Sequence, residues 1–379
     1  MKYIDAFRDG DVAATLAQAI AREVNPNRSY RLMEFCGGHT HAIFRFGVQD
    51  LMPEQVRFVH GPGCPVCVLP KGRIDAAIAL VEQHDVILCT YADLMRVPAS
   101  NQTSLLKAKA DGADIRMVYS TQDALNIARQ NPERQVVFFA IGFETTTPPT
   151  AVALLQAKQE GLANFTVFCN HVLTPPAMRH ILQADGEQSA HIDGILGPSH
   201  VSAIIGSQAY AFCADEFGIP LVIAGFEPLD VMQSTLMLIR QINAGEHRIE
   251  NEYTRAVTSE GNAKAQGLMA EVFELRSQFE WRGLGELPDS ALSIRESFAE
   301  FDAERRFEMP ELSSADVKGC LCPAILRGLN NPVDCKLFGT VCTPENPMGA
   351  CMVSSEGACA AYWSYGRRSA DSSTQREVL

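Results

Sequence analysis

The chain has 379 residues, 46% of them hydrophobic and 20% charged, enough to bury two or three substantial cores. A net charge of −13 argues against a phosphate-binding surface and so against a nucleic-acid partner. Met1 to Asp9 lacks the apolar core of a signal peptide, and no later stretch reaches the roughly 18 uncharged apolar residues of a membrane span. No membrane partner is expected. The expected location is the cytoplasm, where the twelve cysteines suit metal or redox use better than structural disulfides.

Residues 1–25 read as an amphipathic helix with no assigned partner. Short apolar, β-rich runs then alternate with helical patterns, the signature of a parallel α/β architecture. Candidate strands cover 31–35, 56–59, 86–89, 115–118, 136–141, 165–169, 194–196 and 221–224. One strand roughly every 22 to 30 residues matches the size of a βα unit. Taken in chain order the eight strands form two sets of four. The expected fold is α/β, with two similar parallel-sheet domains, 26–133 and 134–240, facing a cleft. A third, mostly helical or irregular domain follows over 241–379, with residues 1–25 as a candidate completion. Within it, 241–278 reads as helix-rich and charged, 281–285 as a turn and 369–379 as a frayed polar tail.

Ligands of open α/β sheets gather at the carboxyl ends of strands, so the residues that follow the strands carry the chemistry. Cys36-Gly37-Gly38-His39-Thr40-His41 follows the first strand and Gly61-Pro62-Gly63-Cys64-Pro65-Val66-Cys67 the second. A CxxC pair is short enough to cycle between dithiol and disulfide. Cys36, followed by two glycines, sits where backbone N–H groups or a helix N-terminus stabilise a thiolate. Gly142-Phe143-Glu144-Thr145-Thr146-Thr147 and Gly225-Phe226-Glu227-Pro228-Leu229-Asp230 follow later strands, and His171 and Gly197-Pro198-Ser199-His200 end two more. His39, His41, His171 and His200 are candidate ligands or proton carriers, weighed against satisfied polar groups of a cleft wall. Glu144 with Thr145 and Thr146 suits ligand orientation; Glu227 more simply caps a helix. Cys89, Cys169 and Cys213 lie in or near apolar runs and are expected to be buried.

Half of the cysteines, Cys320, Cys322, Cys335, Cys342, Cys351 and Cys359, crowd a segment rich in Gly and Pro with little periodic pattern. Buried structural thiols are the plain alternative; a metal centre would supply the cross-links that the segment otherwise lacks. Tight paired CxxC knuckles would favour zinc. The wide spacing of Cys322, Cys335, Cys342 and Cys359 suits an iron–sulfur cluster at least as well, so spacing leaves both metals open, with Cys320 and Cys351 as spares.

With Met352-Val353-Ser354-Ser355-Glu356-Gly357-Ala358-Cys359-Ala360-Ala361 added, these motifs resemble, in order and over most of the chain, the HypD family of hydrogenase maturation proteins. The resemblance implies a scaffold that, with the small chaperone HypC, holds an iron atom while it acquires cyanide and carbon monoxide. HypE would deliver the cyanide, and the finished fragment would pass to the large subunit of a nickel–iron hydrogenase. Carried over by position, it makes Cys36 the iron-ligating thiolate and Cys64 and Cys67 the redox-active pair. A resident 4Fe-4S cluster would fall on Cys322, Cys335, Cys342 and Cys359, with Cys320 as the alternative to Cys322. His39, Glu144, Thr145, Thr146, His171 and His200 would line the cleft and orient the bound cyanides. Such a chain is an assembly scaffold with thiol redox activity rather than a conventional turnover enzyme. A thiol-disulfide oxidoreductase with an iron–sulfur electron donor and a zinc-stapled interaction module are the competing classes.

Overall fold

A computed structural model describes residues 5–310 and 317–366. The eight expected strands form: β1 Tyr30–Glu34, β2 Val56–His60, β3 Val86–Thr90, β4 Ile115–Met117, β5 Gln135–Gly142, β6 Phe165–His171, β7 Gly194–Pro198 and β8 Leu221–Ala224. Strands β3, β6, β7 and β8 are buried along their whole length, as parallel strands covered by helices on both faces must be. With β9 (Ile249–Asn251) they pair, all parallel, into two sheets ordered β2-β1-β7-β8-β9 and β4-β3-β5-β6.

The fold class is therefore α/β with two parallel sheets, but the strands do not divide in chain order. The chain leaves the first sheet after β2, completes the second, and returns to the first with β7. A boundary at 133 would cut β3 from β5, whose residues Leu88 and Val137 are in register. Periodicity identifies a strand; it carries no information about which strand lies beside it.

Two further expectations change. Residues 273–278, read as helical, open β10 (Phe273–Trp281), which pairs antiparallel with β11 (Gly285–Ile294) around the expected turn. β11 runs beside the end of β6, where Ala291 bridges Val172 and the Leu173 N–H donates to Ser290 O at 2.9 Å. Phe273, Leu292 and Ile294 share a core with Ile87, Phe138 and Val167, so the hairpin extends the second sheet's unit rather than a third domain. The helix α1 (Gly10–Glu23), N-capped by Asp9, buries Ile20 with Tyr30, Leu32 and Ile239, in the core of the first sheet's unit. Residues 317–366 are short helical turns and irregular chain, as their composition implies. The expected tail 369–379 lies outside the described residues. Among the described residues, no helix is long and apolar enough to cross a membrane.

Candidate functional site

In the first sheet strand order reverses between β1 and β7, and in the second between β3 and β5. Such switch points open a crevice, because the flanking loops leave in opposite directions. Loops from both sheets line one cavity of about 370 Å³: Gly38 after β1, Gly63 after β2, Thr145 and Thr146 after β5, His200 after β7 and Phe226 after β8. Glu356 of the C-terminal segment closes it.

Cys36 lies just beneath this floor, 1% exposed, as the N-cap of α2 (Gly37–Arg45). Its Sγ is 3.4 Å from His200 Nδ1, a contact that spans the β1/β7 switch point. Its N–H donates to Glu34 Oε2 at 3.1 Å, and the other Glu34 oxygen meets Thr40 Oγ1 and His60 Nδ1. Phe226 packs against the rings of both His39 and His200, with centroids at 5.0 and 5.2 Å. Gly63 must be glycine, since a Cβ there would stand 2.4 Å from Cys36 N. Burial, reinforced by Glu356 and Glu34, pushes the Cys36 thiol well above its ordinary range. The α2 amides of Gly38 and His39 act in the opposite, thiolate-favouring direction expected from sequence, but burial outweighs them. Burial also lowers His200 and His39 to about 4, so both imidazoles are neutral near pH 7.

Cys64 and Cys67 are joined as a disulfide across the short helix α3 (Pro65–Val68); both are buried, and Gly63, just before them, packs against the Cys36 backbone. The Cys67 N–H donates to Cys64 Sγ at 3.2 Å. The β10–β11 turn holds this helix from outside, with the Arg282 N–H donating to Val68 O at 2.7 Å. The same turn touches the cysteine-rich segment, since a Cβ on Gly283 would lie 2.9 Å from Pro323 Cα.

Of the other residues singled out in the sequence, Thr145, Thr146 and His200 face the cavity. His39, Glu144 and His171 do not line it; each is buried and makes hydrogen bonds elsewhere, although His39 Nδ1 has no partner among the described residues. His39 Nε2 meets Ala224 O at 2.9 Å, and His171 Nε2 meets Thr150 Oγ1 at 2.9 Å. Glu144 accepts from Thr174 N–H and Oγ1–H at 2.8 and 2.9 Å, and burial raises its carboxyl to about 7. His41 packs edge-on against Tyr365, and Glu227 caps its helix. Cys89, Cys169 and Cys213 are buried. Phe226 and Glu356 also line the cavity, each from within a motif, Gly225-Phe226-Glu227 and 352–361, and Glu34 and His60 are polar residues that end the apolar runs of β1 and β2.

The C-terminal thiols converge. Cys322, Cys335, Cys342, Cys351 and Cys359 are buried, while Cys320 is half-buried. Burial, followed by the neighbouring Cys322, Cys342, Cys320 and Cys335, drives the Cys359 thiol far up. Cys351 is raised first by its hydrogen bond to Cys322 and then by burial. The Met348 N–H donates to Cys342 Sγ at 3.4 Å, and Gly349 allows the chain to pass against Cys320 and Cys322. Among the described residues, no group of three or more His, Cys, Asp or Glu side chains has the arrangement of a metal-ion site. An all-thiol donor set around a multi-iron cluster is spread more widely than the donors of one ion, and the six converging sulfurs fit that set.

Fold and site together define a two-sheet α/β protein with a buried thiol and a CxxC disulfide at the meeting of its strand ends, and a separate thiol cluster behind them. The HypD family, described as hydrogenase formation hypA family, matches residues 11–366, and the chain belongs to it. It is 63% identical over 370 residues to hydrogenase maturation factor HypD2 of Bradyrhizobium diazoefficiens, covering 97% of each chain. It is 62% identical to hydrogenase maturation factor HypD of Azotobacter vinelandii (97% of this chain, 98% of the relative). Against hydrogenase maturation factor HypD of Escherichia coli the identity is 45%, over 98% of this chain and all of the relative. The chain is a hydrogenase maturation factor.

Proposed function

We propose that this maturation factor is the scaffold on which iron, its cargo, acquires cyanide and carbon monoxide before transfer toward the large subunit of a nickel–iron hydrogenase. Cys36 holds the iron, sharing it with the chaperone HypC, and HypE supplies the cyanide. The observation that carries this reading is the Cys36 Sγ at a switch point, 3.4 Å from a neutral His200, with the Cys36 backbone packed against Gly63, the residue before the CxxC. A soft thiolate suits low-spin ferrous iron bearing strong-field ligands. Because burial keeps the free Cys36 protonated, its proton leaves as the metal arrives. Thr145 and His200 offer hydrogen-bonding groups to the cyanides, Thr146 lines the same wall with its hydroxyl held by backbone carbonyls, and His39, Glu144 and His171 are buried behind them.

Cys64 and Cys67 provide two electrons and two protons when the dithiol closes to the disulfide. Cys322, Cys335, Cys342 and Cys359 would hold a 4Fe-4S cluster, with Cys320 and Cys351 as adjacent thiols; when bound, such a cluster supplies electrons one at a time. Ten free cysteines fit a reducing cytoplasm. Replacing Cys36 by Ala is expected to abolish the infrared CN and CO bands of the complex with HypC without unfolding the protein. Bands that persist in a folded Cys36→Ala protein would overturn the assignment.

A further inference from the structure

A second cavity, about 400 Å³, opens between the loop that follows β3 and the cysteine-rich segment. Its walls carry Lys71, Arg96 and Lys107 against one carboxylate, Glu345, on a chain whose net charge is −13. Lys318, exposed, follows Val317 of the same wall. Leu106, 46% exposed, supplies an apolar contact inside this basic rim.

The cavity is shaped in advance. Ser100 donates its N–H and Oγ–H to Asp75 of the helix α4 (Lys71–Gln83), at 2.8 and 2.7 Å, and the Ala99 N–H donates to Thr103 O at 3.0 Å. This pinned turn holds Asn101 and Gln102 at φ 54° and 58°, a left-handed pair that non-glycine residues adopt only where the surroundings enforce it. Across from it, Met348 lines the cavity while its N–H donates to Cys342 Sγ at 3.4 Å. The next residue, Gly349, lies against Cys320, where an added Cβ would be 2.8 Å from Sγ. One strand of chain separates the cavity from the thiol cluster.

We propose that this face is the docking surface for a small acidic protein that carries single electrons, seated over the cysteine cluster. The inference rests on the cluster reading given above. Charge and position together select the occupant: a local excess of cations attracts a negatively charged partner, and the cysteine cluster one strand of chain away makes that partner an electron carrier. A small apolar centre with a charged rim matches the weak, rapidly exchanging interfaces of redox encounters.

The test is calorimetric titration of the full-length protein with an acidic plant-type [2Fe-2S] ferredoxin, alongside iron and sulfide analysis of the same sample. Binding is expected at low ionic strength and should weaken about tenfold or more when salt rises from roughly 20 to 200 mM, as the Debye length shrinks. The double variant Lys71→Glu, Lys107→Glu should weaken binding by at least about tenfold, while Arg22→Glu on α1 leaves it within about twofold. Absent binding, or binding indifferent to the double charge reversal, overturns the proposal. Equal affinity for a redox-free acidic protein of matched charge overturns the choice of occupant. A sample lacking iron and sulfide refutes the cluster reading, whereas an iron-loaded sample that fails to bind refutes only the docking surface.

Discussion

Glu144 gives the sharpest quantitative test of the site's architecture. Its carboxyl is 1% exposed and its two oxygens receive the Thr174 N–H and Oγ1–H. Burial raises its pKa from the ordinary 4.5 to about 7, those hydrogen bonds recovering only part of the lost hydration. Because the folded state keeps the proton longer than the unfolded chain, this contribution is fully present below pH 4.5, is lost between pH 4.5 and about 7, and stays constant above that. At about 1.4 kcal/mol per pH unit the loss is about 3 kcal/mol. Glu144→Gln keeps the shape: its oxygen can accept the Thr174 N–H while its amide donates to Oγ1, and it never ionises. Urea unfolding of both proteins at pH 5 and pH 8 isolates the effect, since every other titrating group is common to the two. The variant should gain about 2.5 kcal/mol relative to wild type on going from pH 5 to pH 8, since a part of the loss is already complete at pH 5. Stability curves that run parallel across this range would show that Glu144 is already ionised and hydrated, contrary to its burial.

Glu304 should behave in the opposite sense. Burial would raise its carboxyl, but Arg73 and Arg276 outweigh that and hold it at about 2, so its contribution is present above pH 4.5 and disappears as pH falls to about 2. Glu304→Gln is expected to cost about 3 kcal/mol at pH 7, a penalty that closes in acid; a penalty independent of pH in urea titrations would contradict the ion-pair account. Gly63→Ala forces a Cβ onto the Cys36 backbone, which cannot give way as a side chain can, and should cost about 2 kcal/mol or more. Gly10→Ala, with nothing within 4 Å, is the matched control, and equal urea midpoints for the two variants would refute the close approach.

Residues local to a strand and its turn were legible without coordinates. Gly-Pro-Gly before a CxxC, two glycines after Cys36, and Gly-Phe-Glu after β5 and β8 each placed chemistry at a strand end, and every one is found there. Glycine spacing, apolar runs and cysteine positions are properties of short stretches of chain, and so is the strand, whose buried face follows from its own side chains. The amino-acid sequence by itself therefore determined the α/β class, the eight strands, the thiols and the family. Only the tertiary structure decided that β7 and β8 return to the first sheet, which sets His200 beside Cys36, and that Glu144 and His171 face Thr174 and Thr150 instead of the cleft. It likewise decided that Glu356 reaches the cavity and that the β10–β11 hairpin braces the CxxC helix. These are contacts between residues far apart in the chain, selected by how whole sheets and helices bury their faces together, and no local pattern of residue types encodes that choice.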